Sequence, residues 1–250
     1  MITIDLTGKV AVVTGGVQGL GRAAASMLLR AGAKIAVNYF DDADGVSRRR
    51  ADEAAEEWGD ASLVMAADVR SRTEMTTFFE TVKGKFGRID FLVNNAAILR
   101  DRSVKKMTDE EWDAVVETNL SAVFKVSQTA LPFIEDGGRI VNLASISGVL
   151  GFYGQANYSS AKAGVIAFTK VLSRELASRR INVNSVAPGV VMTEMGDTIP
   201  DAAREQMMAQ IPMKRFGDPS EIASVILYLC SDLSSYVTSQ TLHVNGGWLG

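Results

Sequence analysis

Two periodicities alternate along this chain. Short apolar runs, too continuous for half-exposed strands, are separated by longer stretches in which apolar residues recur every three or four positions. The runs Lys9–Thr14, Lys34–Tyr39, Ser62–Asp68, Arg88–Asn94, Arg139–Ala144, Ile181–Ala187 and Thr241–Asn245 predict seven strands. Between them the pattern predicts a helix over Arg22–Ala31, closed by Gly32 at C′, and a polar one over Gly45–Trp58. Ser71-x-x-Glu74 and Thr108-x-x-Glu111 read as capping boxes. The first opens a helix with the inner stripe Met75, Phe78, Phe79, Val82 and Phe86. The second opens a long helix carrying Trp112, Val115, Val116, Leu120, Val123 and Phe124 and ending near Pro132. A further helix begins at Tyr158 and runs to about Arg179, and the last is opened by Asp218-Pro-Ser-Glu221 and continues through Leu229. Strands separated in this way by helices predict an α/β fold: one domain over residues 1–250, with a doubly wound, seven-stranded parallel sheet flanked by helices on both faces.

Composition narrows the class. A chain of 250 residues, 47% hydrophobic and 22% charged, can bury one large core. Its formal net charge of −3 carries no basic footprint, so no nucleic-acid partner is expected. No apolar run approaches the roughly 18 residues of a membrane span. Met1–Lys9 mixes polar and apolar residues, unlike a signal peptide, and the expected setting is cytoplasmic, with no membrane partner. The single cysteine, Cys230, excludes an internal disulfide and a cysteine-built metal cluster, and reads as a buried filler in a helix. The single histidine, His243, sits in an alternating strand with no histidine partner and no nucleophile elbow nearby. Neither a metal site nor hydrolase chemistry is expected.

Two stretches carry chemistry instead. Thr14-Gly-Gly-Val-Gln-Gly-Leu-Gly21 joins the first strand to the first helix, where Gly15, Gly19 and Gly21 let the backbone approach a pyrophosphate at a helix N-terminus. Asp68 ends the third strand, where a carboxylate can accept an adenine amino group, and Asn94-Asn-Ala-Ala97 ends the fourth beside the switch point. Arg139–Ala144 leads to a small hydroxyl, Ser145. Thirteen residues later stands Tyr158, with Lys162 one helical turn further on the same face. A phenol with an ordinary pKa of about 10 becomes a usable acid or base when a cation stands beside it.

These residues, with Asn119, TGGVQGLG, AADV at 66–69, NNAA at 94–97, YSSAK at 158–162 and PGVVMTEM at 188–195, resemble the classical short-chain dehydrogenase/reductase family over essentially the whole chain. The resemblance implies a Rossmann-type domain and an NAD(P)-dependent oxidoreductase that interconverts a ketone and a secondary alcohol. It implies that Tyr158 is the acid/base, that Lys162 lowers its pKa and binds the nicotinamide ribose, that Ser145 orients the carbonyl, and that Asn119 holds a water linking Lys162 to solvent. Cofactor contacts are implied for Gly15, Val17, Gln18, Gly19, Leu20, Tyr39, Asp68, Val69, Asn95, Ala96, Ala97, Pro188, Gly189, Val191 and Thr193. Substrate contacts are implied for Ser145, Ser147, Tyr158, Gly189 and Met195, under a lid at about 192–215. Ala97 stands where the family usually has glycine, which a negative φ would accommodate.

Within the family, GQANYSSAKAG, QIPMKRFGDPSEIA and LHVNGG are most similar to 3-oxoacyl-(acyl carrier protein) and acetoacetyl-CoA reductases. Arg179 matches a carrier-docking arginine, but Glu135-Asp136 reverse a usually basic segment, so acyl carrier protein is a doubtful partner. A dehydrogenase of a free secondary alcohol, sugar or aromatic ketone is the alternative, and a non-catalytic dinucleotide sensor the remote one. No acid stands near Tyr39 to read a ribose and neither Phe40 nor Gln18 is basic. Asp41, Asp42 and Asp44 oppose a 2′-phosphate, and Arg48–Arg50, which reach it only if the loop folds back, read as a solvated helix face. The balance leans to NAD(H), with NADP(H) open. The resemblance further implies a homotetramer.

Overall fold

The computed structural model describes residues 3–193 and 201–248, with residues 201–203 described by backbone alone. Its centre is a seven-stranded sheet: β1 (Val10–Thr14), β2 (Lys34–Tyr39), β3 (Ser62–Ala66), β4 (Ile89–Asn94), β5 (Ile134–Leu143), β6 (Asn182–Pro188) and β7 (Thr241–Val244). All pairs are parallel and the order is β3-β2-β1-β4-β5-β6-β7. The chain winds outward from β1 to β3 and then restarts at β4 on the other side of β1. The crevice beyond the C-terminal ends of β1 and β4 is therefore the topological switch point, where open α/β sheets bind ligands.

The helices are α1 (Gly19–Arg30), α2 (Val46–Trp58), α3 (Arg72–Phe86), α4 (Asp109–Val116), α5 (Ala122–Ala130), the single turn α6 (Ser147–Leu150), α7 (Ala156–Glu175), α8 (Asp201–Gln210) and α9 (Pro219–Cys230). Strand alternation divides the core between two layers. Ala11, Val13, Ile35, Val37 and Val93 face α1, α2 and α9, whose buried residues include Leu28, Ala54 and Ile226. Val10, Val12, Ala36 and Leu92 face α3, α5 and α7, packing on Phe78, Phe79, Val126 and Leu172. Among the described residues no helix is long and apolar enough to cross a membrane.

Local chemistry sets the ends. The Thr108/Glu111 and Asp218/Glu221 capping boxes both form. At α3 only half of the expected box is present: Ser71 accepts from the Glu74 N–H, while Glu74 reaches past it to the backbone N–H of Asp68 at 2.8 Å. The long helix expected from Thr108 is interrupted by a π-helical turn, Glu117–Ser121. A π turn holds more residues than an α turn and so rotates the apolar stripe beyond it. Phe124 is left 44% exposed, and Trp112 39%. The first helix starts at Gly19, not Arg22, because the glycine turn itself supplies its first turn.

Candidate active site

A cleft of about 940 Å³ opens at the switch point. One wall is the β1–α1 turn. Gly15 (φ +61) and Gly19 (φ +52) are left-handed there, and a Cβ on Gly21 would lie 2.4 Å from Asn95 Nδ2 and 2.5 Å from the Gly15 carbonyl. Asn95 locks this turn to β4. Its Nδ2 donates to the carbonyls of Thr14 (2.9 Å) and Gly15 (3.1 Å), and its backbone N–H donates to Thr14 Oγ1 at 2.9 Å. The turn, a helix N-terminus behind it and bare backbone at its crest form a cradle suited to a pyrophosphate.

The cleft gathers nearly all the residues singled out from sequence. Gly15, Val17, Gln18, Gly19 and Leu20 line it on the turn side, Tyr39, Asp68 and Val69 at the ends of β2 and β3, and Asn95, Ala96 and Ala97 after β4. Ser145, Ser147, Tyr158 and Lys162 line its floor, and Pro188, Gly189, Val191 and Thr193 the side beyond β6. Ala97 is not among the positive-φ residues, which among the described non-glycine residues are Arg180, Lys214 and Ser239, so its methyl is accommodated. Met195 lies outside the described residues.

Two of these residues also have partners within the protein. Asp68 is held by Arg70, whose Nε and Nη2 donate to both carboxylate oxygens at 2.6–3.0 Å. Burial pushes the carboxyl up, but the hydrogen bonds and charge of Arg70 together outweigh it and hold the carboxyl below the usual range. Ser147 is buried, and its hydroxyl lies 2.6 Å from Gln155 Oε1 and 2.7 Å from Ser159 Oγ. With its hydroxyl so committed, Ser147 supports the floor through its backbone: its N–H donates to Ser145 Oγ at 3.1 Å.

Strand β5 and helix α7 bring the rest together. A Cβ on Gly148 would lie 2.7 Å from the Lys162 backbone, so α6 packs directly on α7. Tyr158 stands beside Ser145, and Lys162 lies with its ammonium over the Tyr158 ring, 5.6 Å from the centroid. Lys162 is only 2% exposed and donates to the Leu143 carbonyl at 2.6 Å. Burial lowers its pKa to about 8. Burial raises the Tyr158 phenol to about 12, the Ser145 hydroxyl opposes this, and the charge of Asp101 adds to it. The phenol therefore stands above its ordinary value, with the Lys162 cation at its ring face.

Asn119 lies in the π turn behind the cleft, fully buried. Its Oδ1 accepts from the Ile98 N–H and its Nδ2 donates to the Ile98 carbonyl, both at 2.9 Å. The side chain is thus a tie to the strand-β4 exit.

Other lining residues had no signal in the sequence. Arg50, read there as part of a solvated face, lines the cleft with its guanidinium on Gln18 Oε1. Asn38 also lines it, with Oδ1 buried and unpartnered, an acceptor suited to a ligand hydroxyl or amine. At the opposite end stand Ile98, Leu99, Asp101, Phe152, Gln155, Val190 and Met207. These are long-range neighbours that no local pattern connects. Arg179 is away from the cleft and fully engaged: Nε on Asp136 at 2.8 Å, Nη1 on the Leu131 carbonyl at 2.8 Å, and Nη2 on that of Ile134 at 2.5 Å. Glu135 likewise pairs with Lys83 at 2.8 Å.

A doubly wound sheet with a glycine cradle at its switch point, and a hydroxyl, phenol and buried amine converging beside it, define a nicotinamide-dependent oxidoreductase. Comparison with known proteins agrees. The family described as Enoyl-(Acyl carrier protein) reductase matches residues 15–249. The 3-oxoacyl-(acyl-carrier-protein) reductase of Staphylococcus aureus (strain Mu50) is 44% identical over 244 residues, covering 96% of this chain and 97% of that one. The enzyme of the same name from Vibrio cholerae serotype O1 is 42% identical over 246 residues, covering 98% of each. A crystal structure from Brucella melitensis, described as a short-chain dehydrogenase/reductase, glucose/ribitol dehydrogenase, superposes with a TM-score of 0.93 at 34% identity and covers 100% of both chains. The chain belongs to the short-chain dehydrogenase/reductase family, and is an NAD(P)-dependent oxidoreductase.

Proposed function

We propose that this protein reduces the ketone of a 3-oxoacyl thioester to a secondary alcohol, with Tyr158, Ser145, Lys162 and Asn119 as its catalytic set. The observation that carries this reading is the convergence of Ser145, Tyr158 and buried Lys162 on one floor beside the glycine cradle. A bound nicotinamide would supply the hydride. Ser145, its oxygen fixed by the Ser147 N–H, is left to donate its own proton to a carbonyl oxygen. Tyr158 donates to the same oxygen and, protonated to about pH 12, is in the acid form that reduction needs. The two donors together stabilise developing oxyanion charge. The relatives' names specify an acyl-carrier-protein thioester. Because Arg179 is engaged by Asp136 and two carbonyls, the reading places recognition on the thioester itself rather than on an acidic carrier. Acetoacetyl-CoA and a free ketone, each followed by nicotinamide absorbance, separate this reading from that of a simple alcohol dehydrogenase. Turnover of the free ketone alone contradicts it.

For the cofactor, NADP(H) is the form best supported. Asp41 is paired with Arg48 and Arg50 enters the cleft beside Gln18, so two cations offset the acids at the adenosine end, although Asp42, which accepts from Ser47 N–H and Oγ, stays ionised there. The Michaelis constant for NADP(H) should be the lower of the two, and Arg50→Ala should raise it while leaving that for NAD(H) nearly unchanged. A lower constant for NAD(H) contradicts this. The segment at 192–215 is proposed as the substrate lid, since Thr193 and Met207 line the cleft. Exposed Trp112, Phe124 and Val171 on α4, α5 and α7 support a homotetramer, which light scattering would test; a monomer contradicts it.

A further inference from the structure

The end of the cleft away from the glycine turn carries the apolar side chains of Ile98, Leu99, Phe152, Val190 and Met207, beside the polar Asp101 and Gln155. Phe152 is delivered there by a sharp turn. Gly151 (φ +70) and Gly154 (φ +84) both take the left-handed backbone that side chains disfavour, and they bracket the pair Phe152-Tyr153. Both rings border the cleft, but they differ in burial. Tyr153 is 93% exposed, whereas Phe152 is half-buried.

Behind Phe152 stands Trp248. The two rings are tilted by 31° with centroids 5.3 Å apart, within the range of a favourable aromatic pair. Trp248 is held in turn: its indole N–H donates to Gln210 Oε1 at 3.2 Å, and its backbone N–H to the Asn245 carbonyl at 3.2 Å. Gln210 is the last residue of α8, and just beyond it the Met213 N–H donates to the Gly246 carbonyl at 3.1 Å. The stretch 245–248 therefore ties the end of α8 to the back of Phe152. The Phe152 ring cannot swing away from the cleft without breaking this stack.

We propose that Phe152, backed by Trp248, is the end wall of the acyl pocket, and that this protein prefers short 3-oxoacyl thioesters to long ones. The proposal rests on the thioester reading above. Phe152 is the residue that sets chain length, and Trp248, which does not line the cleft, is a positioning residue. A short acyl chain is covered by the apolar wall up to the ring. Each further methylene meets the ring in place of apolar space, so the usual gain from burying it is lost.

The test is kcat/KM for acetoacetyl-CoA and 3-oxodecanoyl-CoA, measured with the full chain and with Phe152→Ala, Phe152→Leu and Trp248→Ala. The parent should favour the short thioester by about tenfold or more, and Phe152→Ala should shrink that ratio by about tenfold. Phe152→Leu should give an intermediate ratio. Trp248→Ala should move it the same way, chiefly through a lower KM for the long thioester. Circular dichroism confirms that each variant is folded. A parent that handles both thioesters equally, or a ratio unmoved in both folded Phe152 variants, overturns the wall. A parent that reduces neither thioester but does reduce a free ketone overturns the thioester reading instead.

Discussion

Lys162 shows how far a site residue can stand from a stability optimum. An ammonium 2% exposed, with a carbonyl at 2.6 Å as its hydrogen-bond acceptor, is costly to keep charged. The sign follows from where the proton is lost: near pH 10.5 in an unfolded chain and near pH 8 in the folded one. Between those values the unfolded state binds more protons, so this group's contribution to stability rises with pH across the window, and its full penalty is present below about pH 8. Lys162→Met should therefore raise stability at pH 7 by about 1–3 kcal/mol, after allowing for the lost hydrogen bond, and the gain should fade as pH rises from 8 to 10.5. Urea melts at pH 7 and pH 10 check this, and a variant less stable than the parent at pH 7 contradicts it. The variant should also lose turnover, as expected where function is kept at the expense of stability.

At the scale of the element, the π turn at Glu117–Ser121 decides where Asn119 points. Such bulges occur often at functional sites. Here the wide turn brings Asn119 to the chain leaving β4, where its amide pairs both polar groups of Ile98. Asn119→Ala leaves that N–H and that carbonyl without their partner in a partly buried region. It should cost about 2–4 kcal/mol and should disturb the cleft through Ile98, which lines it. A melting temperature within a degree of the parent's contradicts this tie. Nothing in the composition of Glu-Thr-Asn-Leu-Ser marks a π turn. The interruption depends on tertiary packing, and the local pattern read correctly as helix on both sides of it.

At the scale of the whole molecule, the sheet was legible because each strand is an unbroken apolar run bounded by turn residues, and the helices because caps such as Asp218-Pro-Ser-Glu221 announce their starts. The glycine turn, Ser145, Tyr158 and Lys162 were legible for a related reason: their chemistry needs fixed local spacing. Arg50, Phe152 and Trp248 were not, because what places them is contact across long stretches of chain, such as the 96-residue separation of Phe152 from Trp248. The same holds for the ion pairs that engage Asp41 and Arg179. The most direct test of the proposed chemistry is Tyr158→Phe, which keeps the ring and removes one hydroxyl. Acetoacetyl-CoA reduction should fall by about 10²–10⁴-fold, while binding of the reduced nicotinamide, read by its fluorescence, stays near that of the parent. Turnover within a factor of a few of the parent's would show that Tyr158 is not the proton donor.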